Sequence, residues 1–397
     1  MTKIDKKQAF ATDESATLDD KSLIVRPAQE RDLETIWKFY EDNFGALPIH
    51  RLKKRWRWQF VDNPACREQK SSIWVAEIGG KVAGQLGAFP VRMKIMDREM
   101  IIQFECDFAV DPGARKLNPV WPMQFLREVL RRNGTPLKGG TDWTPPHAKL
   151  REKWLEHRRV YNVPTSHRPY RRDHVLRQLA ATGNVAKRVV EGPVGDFAST
   201  LLAFAVRIYN RLYHTPAGDQ NLRVVRIREA GPEFDALWMR LRDKFPITTV
   251  RDNKFVRWRF YEDPGFENVI FGAYDADFLL QGYIAVRTAR TDEGIFVGRI
   301  VDLFCDPDEE LTAKTLLGAG LKWLEQFPVE QVTCRGVLPR LRCWVREFLY
   351  RPKQFEQSDW HPLALYLWVG APDLAEAVYD AENWHYTYTE GSGGFSP

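Results

Sequence analysis

Apolar residues recur along this chain in two rhythms, one near 3.6 residues and one of two residues, and their alternation predicts a mixed α/β fold. A short apolar run at 22–27 reads as a strand. In the stretch DLETIWKFYEDNF that follows, Leu33, Ile36, Trp37 and Tyr40 fall at helical spacing. A second helix carries RWRW and stops at Asn63-Pro64, because the residue before a proline is pushed out of the helical region. SSIWVAEI and KVAGQLGAFPVRMKI read as strands joined across Gly79-Gly80, a hairpin turn signal. MIIQFECDFAVDP is the next strand, closed by Asp111-Pro112-Gly113. A helix opens with Pro122, tolerated in a first turn, and ends at Gly134. The predicted order is β-α-α-β-β-β-α-β-α, with an antiparallel front half and a βαβ back half.

The pattern then returns. KRWRWQFVDNP (Lys54 to Pro64) recurs as KFVRWRFYEDP (Lys254 to Pro264), and Val25-Arg26 and Trp37 have counterparts in Val225-Arg226 and Trp238. Downstream, DFAVDP (Asp107 to Pro112) returns as DLFCDP (Asp302 to Pro307). Matched islands in one order imply a duplication. The predicted organisation is a flexible tail at 1–21, a first copy at 22–172, a helical connector at 173–221, a second copy at 222–370 and a C-terminal tail at 371–397.

Composition narrows the class. The chain has 397 residues, 44% hydrophobic and 28% charged, which suits two soluble domains and excludes fibrous or disordered classes. Five scattered cysteines lack metal-ligand spacing, so neither disulfides nor a metal is expected, and the N-terminus has no apolar leader, so a cytoplasmic location is expected. The net charge of +5 is unevenly placed: residues 145–215 hold thirteen Lys and Arg against five Asp and Glu. Such a stretch is either a solvated face or a patch for phosphates, anionic lipid or a tRNA backbone. Within it, residues 196–214 place Phe197, Leu201, Ala205, Ile208 and Leu212 on one stripe, which suits a linker helix or a peripheral membrane contact. No P-loop, G-x-G-x-x-G or Ser-His-Asp pattern is present, which leaves kinase, dehydrogenase and hydrolase readings without support.

Strand, hairpin and strand, then a V-x-P turn into a helix, resembles the core of the GNAT superfamily of acyl-CoA-dependent N-acyltransferases, over about residues 22–172 and 222–370. The tandem form looks most like the acetyltransferase-like proteins of polysaccharide biosynthesis clusters. The resemblance implies two GNAT-like domains, each a mixed, mostly antiparallel sheet flanked by helices. It also implies acetyl-CoA or another acyl-CoA as co-substrate and a small-molecule or glycan amine as acceptor. Nucleic acid enters only through the alternative of a Fem-like transferase using aminoacyl-tRNA; a non-catalytic scaffold is the third reading.

In that family the turn after the fourth strand offers main-chain N–H groups to the coenzyme pyrophosphate. Here Arg115 and Lys116 supply side-chain charge, while Asn118 and Val120 stand at the glycine positions and Pro119 and Pro122 lack an N–H. The second copy has Asp306, Asp308, Glu309 and Glu310 at this turn, which would repel a pyrophosphate, so donor binding is expected only in the first. Glu105 and Asp107, two apart on the fourth strand, are the candidate bases and are expected on one face. The resemblance makes the Val110 amide the oxyanion donor and Tyr161 the acid for the departing thiolate. Arg57, Trp58, Arg257 and Trp258 are either an acceptor groove or core anchors.

Overall fold

The computed structural model of the protein describes residues 23–44, 49–69, 72–132, 135–140, 145–170, 201, 204, 208, 218–290, 294–349 and 364–390. The first copy runs β1 (Ile24–Pro27), α1 (Leu33–Phe44), α2 (Ile49–Phe60), β2 (Ser72–Ile78), β3 (Lys81–Ile95), β4 (Arg98–Val110), α3 (Pro112–Leu117), α4 (Trp121–Arg132), β5 (Leu137–Gly140), α5 (Pro145–Trp154), β6 (Arg158–Asn162) and β7 (Thr165–Pro169). The predicted order holds through α5, with α3 added between the fourth strand and its helix and with β6 and β7 added after α5. The second copy runs β8 (Arg223–Ile227), α6 (Glu233–Leu241), β9 (Ile247–Thr249), α7 (Asn253–Val256), β10 (Val269–Tyr274), β11 (Leu280–Arg290), β12 (Phe296–Cys305), α8 (Glu310–Leu324), β13 (Gln331–Arg335), α9 (Pro339–Phe348) and β14 (Ala364–Val369). Residues 371–390, read from the sequence as tail, add α10 (Ala375–Tyr379) and β15 (Trp384–His385).

The strands form two mixed sheets flanked by helices. Their order is β1-β2-β3-β4-β5-β14-β6 in the first, with β9 and β15 attached to it, and β7-β13-β12-β11-β10-β8 in the second. Each copy thus gives its last described strand to the other: β14 lies between β5 and β6, and β7 lies against β13. Gly139 makes the first exchange fit, because a Cβ there would lie 2.0 Å from the Tyr366 carbonyl oxygen.

β3 is long because it serves both copies. Its first half pairs with β2 and its end pairs with β9, Met93 opposite Thr249. Pro90 falls between these two partners, where no ladder donor is required, and Asn63 donates to its carbonyl at 2.9 Å.

The repeated Trp motif marks the axis between the copies. Trp58 and Trp258 stack with centroids 4.5 Å apart, and each indole N–H donates to the other residue's carbonyl at 2.9 Å. Reciprocal contacts of this kind are those of a local two-fold axis. In the second copy the helix carrying the motif widens to a π turn over Arg257–Tyr261.

Candidate functional site

In the first copy β4 and β5 run parallel for only two residue pairs, Gln103 with Lys138 and Phe104 with Gly139. Beyond them the strands have no ladder in common. On its other edge β4 carries a bulge: Gln85 pairs with Ala109 and Gly87 with Cys106, leaving Asp107 and Phe108 opposite Leu86. Asp107 has a φ of 53°, a left-handed value costly for a residue with a side chain. Arg55 of α2 holds it there, one guanidinium nitrogen lying 2.8 Å from both carboxylate oxygens.

The bulge overturns the expectation that Glu105 and Asp107 share a face. Glu105 pairs with Arg151 of α5, both side chains being buried, on the side of the sheet where Leu86 packs with Trp121. Asp107 turns instead to α2, whose Phe60 packs with Phe89 and Phe104 on the opposite side. The two carboxylates therefore cannot act together in one cleft. Asp302, the counterpart of Asp107, also binds an arginine, Arg251 at 2.9 Å.

Sequence reasoning missed Arg151, the residue that organises this seam. Its Nε donates to His147 Nε2 at 2.9 Å, and its Nη1 lies 3.4 Å from His157 Nε2. His157 Nδ1 lies 3.1 Å from the Leu155 carbonyl, an arrangement that puts the proton on Nδ1 and leaves Nε2 as acceptor. Burial, and then the Arg151 charge, hold both histidines well below the usual imidazole pKa, so they are neutral. Lys138 is pushed down to about 8 by burial, with Glu105 opposing the shift. The one available signal was the i, i+4 spacing of His147 and Arg151 on α5. Phe108, the second bulge residue, stacks on the His147 ring at 4.9 Å.

At the turn after β4, the start of α3 is already capped, and a local Asx turn precedes α4. Asp111 accepts from the Ala114 N–H at 2.7 Å, and Asn118 Oδ1 accepts from the Val120 N–H at 3.1 Å. An anion at the start of α3 would have to displace Asp111 from the Ala114 amide. Arg115, Lys116 and Val120 are exposed, so only the two cations face solvent as attractive groups. Val110 lies beyond the bulge in regular register with Gly84, so the bulge amides belong to Asp107 and Phe108 rather than to Val110. Tyr161 is on β6 opposite Leu365, and its side chain lies outside the described residues.

The corresponding seam of the second copy is filled by the chain itself. β12 and β13 pair from Val297 with Gln331 to Ile300 with Cys334. Past that point residues 384–390 enter: the Tyr386 N–H donates to Gly336 O at 2.9 Å, and the Leu338 N–H donates to His385 Nδ1 at 3.0 Å. Thr387 Oγ1 donates to Asp302, and Arg251 binds both Asp302 and Glu390, all with fully buried side chains. Gly336, at φ 64°, permits the approach, since a Cβ would lie 1.5 Å from the Tyr386 oxygen.

The groove expected at the repeated motif is absent where the tryptophans meet. Trp58 and Trp258 are 3% and 4% exposed and are used on each other. Arg57 pairs with Asp62 at 3.4 Å and Arg257 with Glu229 at 3.6 Å, both on the surface. Beside the pair, a cavity of about 190 Å³ lies between the copies, lined by Asn63, Pro90 and Arg92 of one and Val250, Asp252 and Trp258 of the other.

No protein-family model and no curated protein matches the sequence. Solved structures do match the fold. A GCN5-related N-acetyltransferase from Anabaena variabilis aligns with a TM-score of 0.57 and 13% identity over 89% of this chain and 74% of that one. One from Kribbella flavida aligns at 0.54 and 13%, over 89% and 72%. Saccharomyces cerevisiae N-myristoyltransferase with bound myristoyl-CoA aligns at 0.50 and 11%, over 90% and 83%. The chain therefore has the GNAT fold. Among the described residues, no helix is long and apolar enough to cross a membrane.

Proposed function

We propose that the protein is an N-acyltransferase that moves an acyl group, in the simplest case acetyl, from acyl-CoA to an amine, with the donor in the first copy. One observation carries this reading: β4 and β5 separate after two residue pairs, beside the bulge at Asp107 and Phe108, and the separated edge suits an extended, amide-bearing arm. The matching seam of the second copy is occupied by residues 384–390, so that copy serves the acceptor side. The N-acetyltransferase and N-myristoyltransferase neighbours support the reaction class through fold alone. An amino sugar or a cell-surface polysaccharide precursor is our candidate acceptor, in the cytoplasm.

A second reading is favoured by a specific observation. The Phe108–His147 stack and the Glu105–Arg151 pair tie β4 to α5 beside the first seam, and Asp111 caps the start of α3, as in a scaffold that has given up donor binding. Melting with coenzyme A and acetyl-CoA separates the two. Ligand at a hundred times its Kd adds about 2.7 kcal/mol, or roughly 3 °C in a chain of this size that melts as one unit. An unmoved midpoint with both ligands leaves the scaffold, and stabilisation by tRNA alone redirects the assignment to aminoacyl transfer.

A further inference from the structure

α8 crosses the outer face of the second sheet, Gly320 seated against Ile284 and Val286 of β11. Its first turns reach the segment leading into β8, the Asp219 N–H donating to Thr315 Oγ1 at 2.8 Å. Arg226 of β8 is paired with Phe271 of β10, so the two side chains share a face, and both open onto a cavity of about 1350 Å³. α8 forms a second wall with Gly318, Ala319 and Lys322. Phe204 and Ile208 form the third; both are helical, and they are 62% and 43% exposed. Large apolar side chains thus face small ones across a space that neither wall fills, leaving apolar surface in water.

The cavity reaches from Tyr170, just beyond β7, to β8, the two edges of a six-stranded sheet. Five strand spacings make that about 24 Å, whereas one lipid chain, half of a bilayer core, needs about 15 Å. Its charge has one sign to spare. Arg168 is met by Glu325 at 3.6 Å, but Arg226 and Lys322 make no ion pair among the described residues.

We propose that this groove binds the hydrocarbon tail of a single long-chain fatty carboxylate, with the head group on Arg226 or Lys322. A bilayer surface fits less well, because Phe204 and Ile208 face α8 across the cavity and a flat membrane cannot touch both walls. The inference stands apart from the acyl-transfer reading, since the groove lies behind the second sheet.

Calorimetric titration of the full-length protein with palmitate, below its micelle concentration, tests it against hexadecyltrimethylammonium, a cation of the same chain length. Expected are saturable one-to-one palmitate binding, at least tenfold tighter than the cation, and its loss in Ala319→Trp. The surface variant Arg226→Glu/Lys322→Glu should lose the preference for the anion while retaining the wild-type circular dichroism spectrum. Absence of saturable palmitate binding, equal affinity for the two amphiphiles, or a preference unchanged by the double charge reversal overturns the proposal. Sedimentation with phosphatidylserine vesicles without palmitate binding would assign the surface to a membrane instead.

Discussion

Replacing Trp58 and Trp258 by phenylalanine, singly and together, probes the axis on which the two copies meet. Each substitution keeps a ring but removes an indole N–H from a buried carbonyl 2.9 Å away. An acceptor stranded in this way costs about 1–3 kcal/mol, and the smaller ring adds roughly 1 kcal/mol of lost packing. Each single variant should therefore lose about 2–4 kcal/mol, read as the denaturant midpoint at unchanged m-value. Because the rings stack on each other at 4.5 Å, the first substitution already weakens the contact that the second removes. The double variant should fall short of the summed singles by about 0.5–1.5 kcal/mol. Losses under about 0.5 kcal/mol, or additivity within that margin, would refute the core-anchor assignment. A raised KM at unchanged stability would restore the acceptor-groove role.

Glu390→Ala leaves Arg251 half neutralised in a fully buried network and should cost about 3–5 kcal/mol, measured by chemical denaturation; a loss below about 1 kcal/mol would mean that residues 384–390 are not seated in the second seam. Gly336→Ala combines a left-handed backbone with a collision at Tyr386 O and should lower the melting midpoint of the whole protein; an unchanged midpoint would contradict that close approach. His147, His157, His167 and His385 all have pKa values lowered by burial. The unfolded chain takes up their protons below about pH 6.5, so stability present above that pH is lost as the pH falls. The slope is up to about 1.4 kcal/mol per pH unit for each histidine, and a flat profile between pH 7 and 5 would show that these rings are not held neutral.

Helical and two-residue periodicity located β1 to β4 and the helices α1, α2 and α4 of the first copy, though not α3, β6 or β7, and the recurrence of KRWRWQFVDNP as KFVRWRFYEDP exposed the repeat without any coordinates. Those signals are local, each resting on neighbours along the chain. Glu105 and Asp107 show where such reasoning stops. Alternation puts residues two apart on one face, yet the bulge reverses this, and it depends on Arg55, which lies fifty-two positions away in sequence. Arg151 was invisible for the same reason, since only the fold brings α5 to β4.

By itself, then, the sequence determined the α/β class and the repeat of one motif along the chain, because each is written in composition, period or spacing. Only the tertiary structure decided the exchange of β7 and β14, the filling of the second seam by residues 384–390 and the burial of the two tryptophans against each other. These are pairings between segments far apart in the chain. Backbone edges accept many partners, and the one realised is selected by how well the whole molecule packs around it.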